Sequence, residues 1–160
     1  MTDRTPEQRL EQAGFKLPAA PQPRGNYAPY CIQPMPGGAR HLSLSGQTCR
    51  VEGVAIAGIC MPGEPLEPAR HAARIAALNL LAVIASACDG SLPSRLDIFR
   101  IRGYVRSSGD FAAHTAVLDA ASELLNIAWP DARRPARTAV GVPSLPDEAY
   151  IEIELDAFLP

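Results

Sequence analysis

Apolar positions recur along this chain with two different periods, and the places where the period changes divide it into elements. A period near 3.6 marks a helix with one buried side, and a period of two marks a half-buried strand. Thr5-Pro6-Glu7-Gln8 joins an N-cap, a proline at the first helical position and a capping-box glutamine. Leu10 and Ala13 give the helix that follows an apolar side, and Gly14 ends it. Pro18 to Pro29 is proline-rich and reads as an extended linker, with Gly25-Asn26 turning the chain ahead of Tyr27. His41-Leu42-Ser43-Leu44-Ser45 then alternates polar and apolar, a strand running into Gly46. Glycine in such a pattern marks a bulge or a close backbone approach, which suits a backbone lining a cavity. Val51 to Cys60 reads as another strand, ended by Pro62-Gly63.

Pro68 to Cys88 predicts a long helix, alanine-rich, free of internal glycine and proline, and closed by Asp89-Gly90. Its first turns carry Arg70, His71 and Arg74, and the remainder is apolar nearly all round, as for a helix packed on a sheet and on a neighbouring subunit. The uncharged part, Ile75 to Cys88, is 14 residues long. That is short of the roughly 18–20 a membrane-spanning helix needs. Ile98 to Arg106 sets Phe99, Ile101, Gly103 and Val105 against Arg100, Arg102, Tyr104 and Arg106, the pattern of a strand. Asp110 is placed to cap a second long helix, whose packed side carries Phe111, His114, Leu118, Ala121, Leu125 and Ala128 and which Pro130 stops.

Two strands complete the pattern: Arg137-Thr138-Ala139-Val140-Gly141-Val142 and Tyr150-Ile151-Glu152-Ile153-Glu154-Leu155, joined through Pro143-Ser144-Leu145-Pro146. Successive strand side chains point to opposite faces. Ile151, Ile153 and Leu155 therefore oppose Glu152, Glu154 and Asp156, while Arg137 shares a face with the small residues Ala139 and Gly141. A cation with room around it can grip a small carboxylate, and a nearby acid can manage a proton. The same spacing also fits a solvated face on which Arg137 is an ion-pair partner worth about 0–1 kcal/mol. The order of strands and helices argues for an α+β fold, one mixed sheet covered by two long helices on one face.

Composition narrows the function. A chain of 160 residues holds one well-buried core. A net charge of −2, from 15 Lys+Arg against 17 Asp+Glu, is no footprint for a polyanion, so nucleic acid is disfavoured as a partner. Cys31, Cys49, Cys60 and Cys88 lack C-x-x-C spacing and nearby histidines, so no structural zinc is expected. His41, His71 and His114 form no metal-ligand pair on one element and read as structural or surface residues. No apolar signal segment follows Met1, which predicts a cytoplasmic protein with free thiols and no membrane partner.

The run Ala136-Arg137-Thr138-Ala139-Val140-Gly141-Val142, then Leu145-Pro146, then Ile151-Glu152-Ile153-Glu154, resembles the C-terminal signature of the RidA/YjgF-like family, the reactive intermediate (enamine/imine) deaminases. Gly25-Asn26-Tyr27, Leu44-Ser45-Gly46-Gln47, and Arg102-Gly103-Tyr104-Val105 through Asp110-Phe111 match in the same order. The resemblance covers about Pro23 to Phe158 and is strongest to a bacterial subgroup with an added N-terminal helix. Residues 1–22 would then form that helix and its linker, and residues 23–160 the family domain.

The resemblance implies a chorismate-mutase-like fold and a homotrimer whose sheets build a central barrel, with a cavity at each subunit interface. It implies hydrolysis of short 2-imino acids, such as the tautomer of 2-aminoacrylate, to 2-keto acids and ammonia, without metal or organic cofactor. Arg137 matches the family's carboxylate-binding arginine, and a planar guanidinium holds a carboxylate with two parallel hydrogen bonds. Glu152 matches its acid, positioned for general acid–base work on water. Backbone groups at Ser45 and Gly46 would hold the substrate, and Tyr27 would close the pocket. Two substrate-binding positions depart from the founding members: Asp119 stands in the second helix for asparagine, and Ala139 stands for cysteine two residues after the arginine. Asp119 adds negative charge beside an anionic substrate and motivates the alternative of a non-catalytic homotrimer that binds keto acids or other small carboxylates. Ribonuclease activity, a name attached to some members, is disfavoured by the acidic balance.

Overall fold

Residues 4–160 are described by a computed structural model, and one sheet organises them. Its five strands lie in the order β1 (Tyr30–Pro34), β2 (Arg40–Thr48), β7 (Ile151–Leu159), β5 (Asp97–Arg106) and β6 (Ala136–Val142). All neighbours are antiparallel except β5 and β6, which are parallel and joined through helix α3 (His114–Ala128). Helix α2 (Glu67–Ala87) packs beside α3 on the same face, giving the expected α+β arrangement of a mixed sheet under two long helices.

Alternation decides which residues the helices cover. Leu42, Leu44, Ile101, Val105, Ile151, Ile153 and Leu155 are buried beneath α2 and α3. The helices come close because Gly103 has no side chain: a Cβ there would sit 2.7 Å from Leu118 Cδ1. Cys49 and Cys60 are buried within this core, and all four cysteines are free thiols. The short helix α1 (Pro6–Gln12) has the capping box read from Thr5 and Gln8, and it docks on α3, where Arg9 donates to the Ala128 carbonyl at 2.9 Å.

Three local expectations give way. Val51 to Cys60 is not one strand, because Glu52 and Gly53 turn with positive φ of 51° and 83°. A two-residue turn of that hand closes a hairpin, here between β3 (Arg50–Val51) and β4 (Val54–Ala55). Asp110 does not cap α3; its carboxylate accepts from Ser108 Oγ at 2.7 Å, and the helix begins four residues later after Ala113. Phe99 does not join Ile101 in the core. A bulge between Ile98 and Arg100 turns its ring outward against Phe158, leaving it 51% exposed.

Asn79 ties the long helix to the sheet. Its buried amide donates to the carbonyls of Thr48 and Arg50, both at 3.0 Å, fixing the corner where β2 passes into the hairpin. Asn79→Ala should cost about 1–3 kcal/mol, because it leaves those carbonyls without their donor. Denaturant unfolding measures this, and a loss below a few tenths of a kcal/mol would contradict the role.

Candidate functional site

Register settles where Arg137 points. It pairs with Ile101, which pairs with Leu155, and both are core residues under the helices. Arg137 therefore lies on the helix-covered face. Glu152 pairs with Tyr104, which pairs with Val140, three residues beyond Arg137. An odd offset along a strand reverses the face. Arg137 and Glu152 of one chain thus point to opposite sides of the sheet, and the expectation that both reach the same guest fails within a single copy.

The seven residues singled out in the sequence form two groups. Arg137, Asp119 and Ala139 belong to the first, where edge strand β6 passes under α3. Asp119 Oδ1 lies 2.7 Å from Arg137 Nη1, and the same nitrogen donates to Ser122 Oγ at 3.0 Å. Asp119 and Ser122 are three apart on α3 and so present neighbouring side chains to the strand. Nε and Nη2 of Arg137 donate no hydrogen bond among the described residues. The guanidinium is consequently pinned at one corner and open along its other edge. It faces a cavity of about 340 Å³ with apolar walls from Ile101, Leu125 and Trp129. Glu123 and Arg133, which also line it, are engaged elsewhere: Glu123 with Arg70 at 3.0 Å, and Arg133 with Asp97 at 2.8 and 2.9 Å. Arg134 stands at the exposed rim.

Tyr27, Ser45, Gly46 and Glu152 form the second group. The β2–β7 register shifts between Leu44 and Gln47, so Gly46 occupies the bulge its sequence context predicts. A Cβ there would lie 2.1 Å from Glu152 Oε1; the carboxylate rests over the glycine's bare backbone. Ser45 Oγ donates to the Ala28 carbonyl at 2.6 Å, and its amide to Pro29 at 3.0 Å. Those bonds hold the segment that carries the half-exposed Tyr27 beside the bulge. Burial foremost, then the charge of Glu154, pushes the Glu152 carboxyl above the usual range, with Arg50 partly opposing. Glu154 is committed elsewhere, accepting from Arg102 at 3.1 Å and from the Tyr104 hydroxyl at 3.2 Å.

Sequence reasoning missed Ser122, although its three-residue spacing from Asp119 was visible. It also missed Arg50, whose charge partly opposes the rise at Glu152 and which lies two residues past Thr48, the β2 partner of that glutamate. Among the described residues no group of three His, Cys, Asp or Glu is placed to hold a metal ion, and no helix is long and apolar enough to cross a membrane.

Comparison with known proteins adds a family match. The model of the family described as Endoribonuclease L-PSP matches residues 18–159. Protein TCP17 of Trypanosoma cruzi is 32% identical over 151 residues, covering 91% of this chain and 88% of that protein. A putative endoribonuclease from Shewanella oneidensis is 32% identical with a TM-score of 0.86, covering 98% of this chain and 100% of its own. Protein Atu1372 of Agrobacterium tumefaciens, of unknown function, is likewise 32% identical, with a TM-score of 0.85 over 97% and 92%.

A carboxyl raised by burial makes a stability statement with a definite sign. The folded state binds the Glu152 proton more tightly than the unfolded chain does, so the ionised group weakens the fold at neutral pH. That penalty disappears as pH falls through the folded pKa. Glu152→Gln should therefore melt a few degrees higher than the wild type at pH 7, with the difference closing in acid. A variant that melts lower at pH 7 would contradict the burial argument.

Proposed function

Because the chain belongs to the Endoribonuclease L-PSP family, the YjgF/RidA family, we propose that it is an enamine/imine deaminase. It would hydrolyse short 2-imino acids to 2-keto acids and ammonia. The observation that carries this reading is Arg137, held at Nη1 and with Nε and Nη2 making no hydrogen bond, in the wall of a metabolite-sized cavity. Two parallel donors on a planar cation match a carboxylate. The substrate is anchored there with C2 beyond the carboxylate, and water adds to C2 of the protonated imine. The added oxygen gives up both of its protons: one passes to nitrogen before the C2–N bond breaks and ammonia leaves with the bonding pair, and the other is taken up by the ammonia as ammonium.

The proton carrier is Glu152, whose raised pKa suits acid–base work nearer neutrality. Since one chain separates it from Arg137, the working site needs two copies: the β6 edge of one against Glu152 of the partner subunit. A homotrimer repeats that contact three times, with each site at a subunit interface. Tyr27, Ser45 and Gly46 enter with Glu152, and Asp119 and Ala139 with Arg137. This reading calls on no metal or organic cofactor and has the chain working in the cytoplasm.

A second reading keeps the cavity without the chemistry. Asp119 already occupies part of Arg137, a departure from the asparagine of the founding members that motivates a homotrimer that keeps a small-carboxylate site and releases its ligand unchanged.

Aminoacrylate generated in situ by a pyridoxal-phosphate lyase provides the assay, followed by loss of enamine absorbance. Arg137→Ala should lower kcat/KM about a hundredfold, as for loss of a charged bidentate contact, with Arg137→Lys in between. No acceleration by the wild type, alongside saturable binding of a keto acid, establishes the binding module instead. RNA cleavage that survives Arg137→Ala marks a contaminant or another site. On the acid side kcat/KM should fall as Glu152 takes up its proton, with a midpoint above that of an ordinary glutamate.

Shared sites make a sharper test. Arg137→Ala and Glu152→Gln should each retain about a hundredth of the wild-type rate or less alone. Unfolded together in equal amounts and refolded, they should recover about a quarter of the wild-type rate, the share of interfaces that pair an intact Arg137 with an intact Glu152. Mixed oligomers with no recovery would place both residues in one chain's site, against the register.

A further inference from the structure

The acid beside Arg137 changes what the site recognises. Arg137 and Asp119 meet at 2.7 Å, so the positive anchor arrives already neutralised. A simple carboxylate entering the cavity gains the free fork but also meets the Asp119 charge. Asp119 is 46% exposed on its side chain, and its second oxygen accepts no hydrogen bond among the described residues. The other cavity acid, Glu123, spends both oxygens on Arg70. Asp119 is therefore the acid in this cavity with a free acceptor.

We infer that Asp119 is a specificity-determining residue, which with the open edge of Arg137 forms a dipolar clamp for zwitterions that carry a carboxylate next to a protonated nitrogen. The inference rests on the reading of Arg137 as the carboxylate anchor. Protonated 2-imino acids and 2-amino acids have this charge pair; 2-keto acids have only the negative half. The carboxylate lies along Nε and Nη2, and the protonated nitrogen donates to Asp119. In an imine that contact favours the iminium, the form whose C2 is most open to water. Once nitrogen has left, the keto acid keeps the repulsion and loses the attraction, so the site disfavours its own product. An asparagine at this position keeps the shape without the charge and makes no such distinction.

Isothermal titration of the assembled protein with 2-aminobutanoate and 2-oxobutanoate tests this without relying on turnover. The wild type should bind the amino acid about tenfold more tightly than the keto acid, the equivalent of one modest charge contact. Asp119→Asn should bring the ratio to one or below, mainly by strengthening the keto acid, while Asp119→Glu retains the preference. An unchanged ratio in Asp119→Asn with its melting temperature preserved overturns the clamp. So does a wild type that binds neither probe. Enamine hydrolysis is measured separately. Its absence alongside a charge-dependent ratio supports the clamp and rejects the deaminase; hydrolysis with a ratio indifferent to residue 119 does the reverse.

Discussion

The grip of α3 on one corner of Arg137 is the contact on which the rest of the site depends. β5 and β6 are parallel, so the chain must cross from the end of one to the start of the other, and α3 makes that crossing over a single face. Every β6 residue in register with the buried side of β5 then faces the helix. Ile101 lies on that side, and Arg137 follows it. A cation so placed would be costly without acceptors. Asp119 and Ser122 provide them while leaving the other edge open to the cavity.

The opposite face obeys another logic. There Arg102 lies 3.1 Å from both Glu154 and Asp156, and His41 lies 3.4 Å from Asp156. Burial alone would raise the Asp156 carboxyl, but hydrogen bonds from Ser43 and Arg102 outweigh it and hold the group below the usual range. These are half-buried charges in a ladder, and their stabilisation comes from one another. Glu152 stands outside the ladder and is shifted the other way, with Gly46 beneath it. Glu152 and Asp156, on one face of one strand, thus receive opposite pKa shifts from their surroundings, which separates a structural charge from a candidate acid more clearly than their shared alternation does.

Much of the architecture was legible because period and punctuation agreed. The α2 span, the capping box of α1, the Gly46 bulge and the alternation of β7 all express local chemistry, and the structure keeps them. What escaped was set by partners distant in sequence. The outward turn of Phe99 depends on a bulge in pairing with β7; the loss of Asp110 as a cap is the local exception, its carboxylate taken by Ser108 two residues back. The face of Arg137 relative to the helices needed a distant partner too. Alternation within β6 says which residues share a side, and only the parallel partner says which side the helix covers. Asp119 was visible as a departure, but its contact with Arg137 needed the crossing of helix over strand.

An acid on the anchoring arginine need not be a defect. A free arginine must give up much side-chain freedom when it fixes a ligand, which opposes binding. Asp119 and Ser122 hold Nη1 before any ligand arrives, so that ordering belongs to the folded protein instead of the binding step. The consequence is reduced net attraction for a bare anion. A ligand that brings its own positive charge keeps the benefit of the ordered fork and recovers the lost attraction through Asp119. Orientation and selectivity then have a single cause, a helix residue that holds the anchor still and completes the charge pattern the anchor alone would leave half drawn.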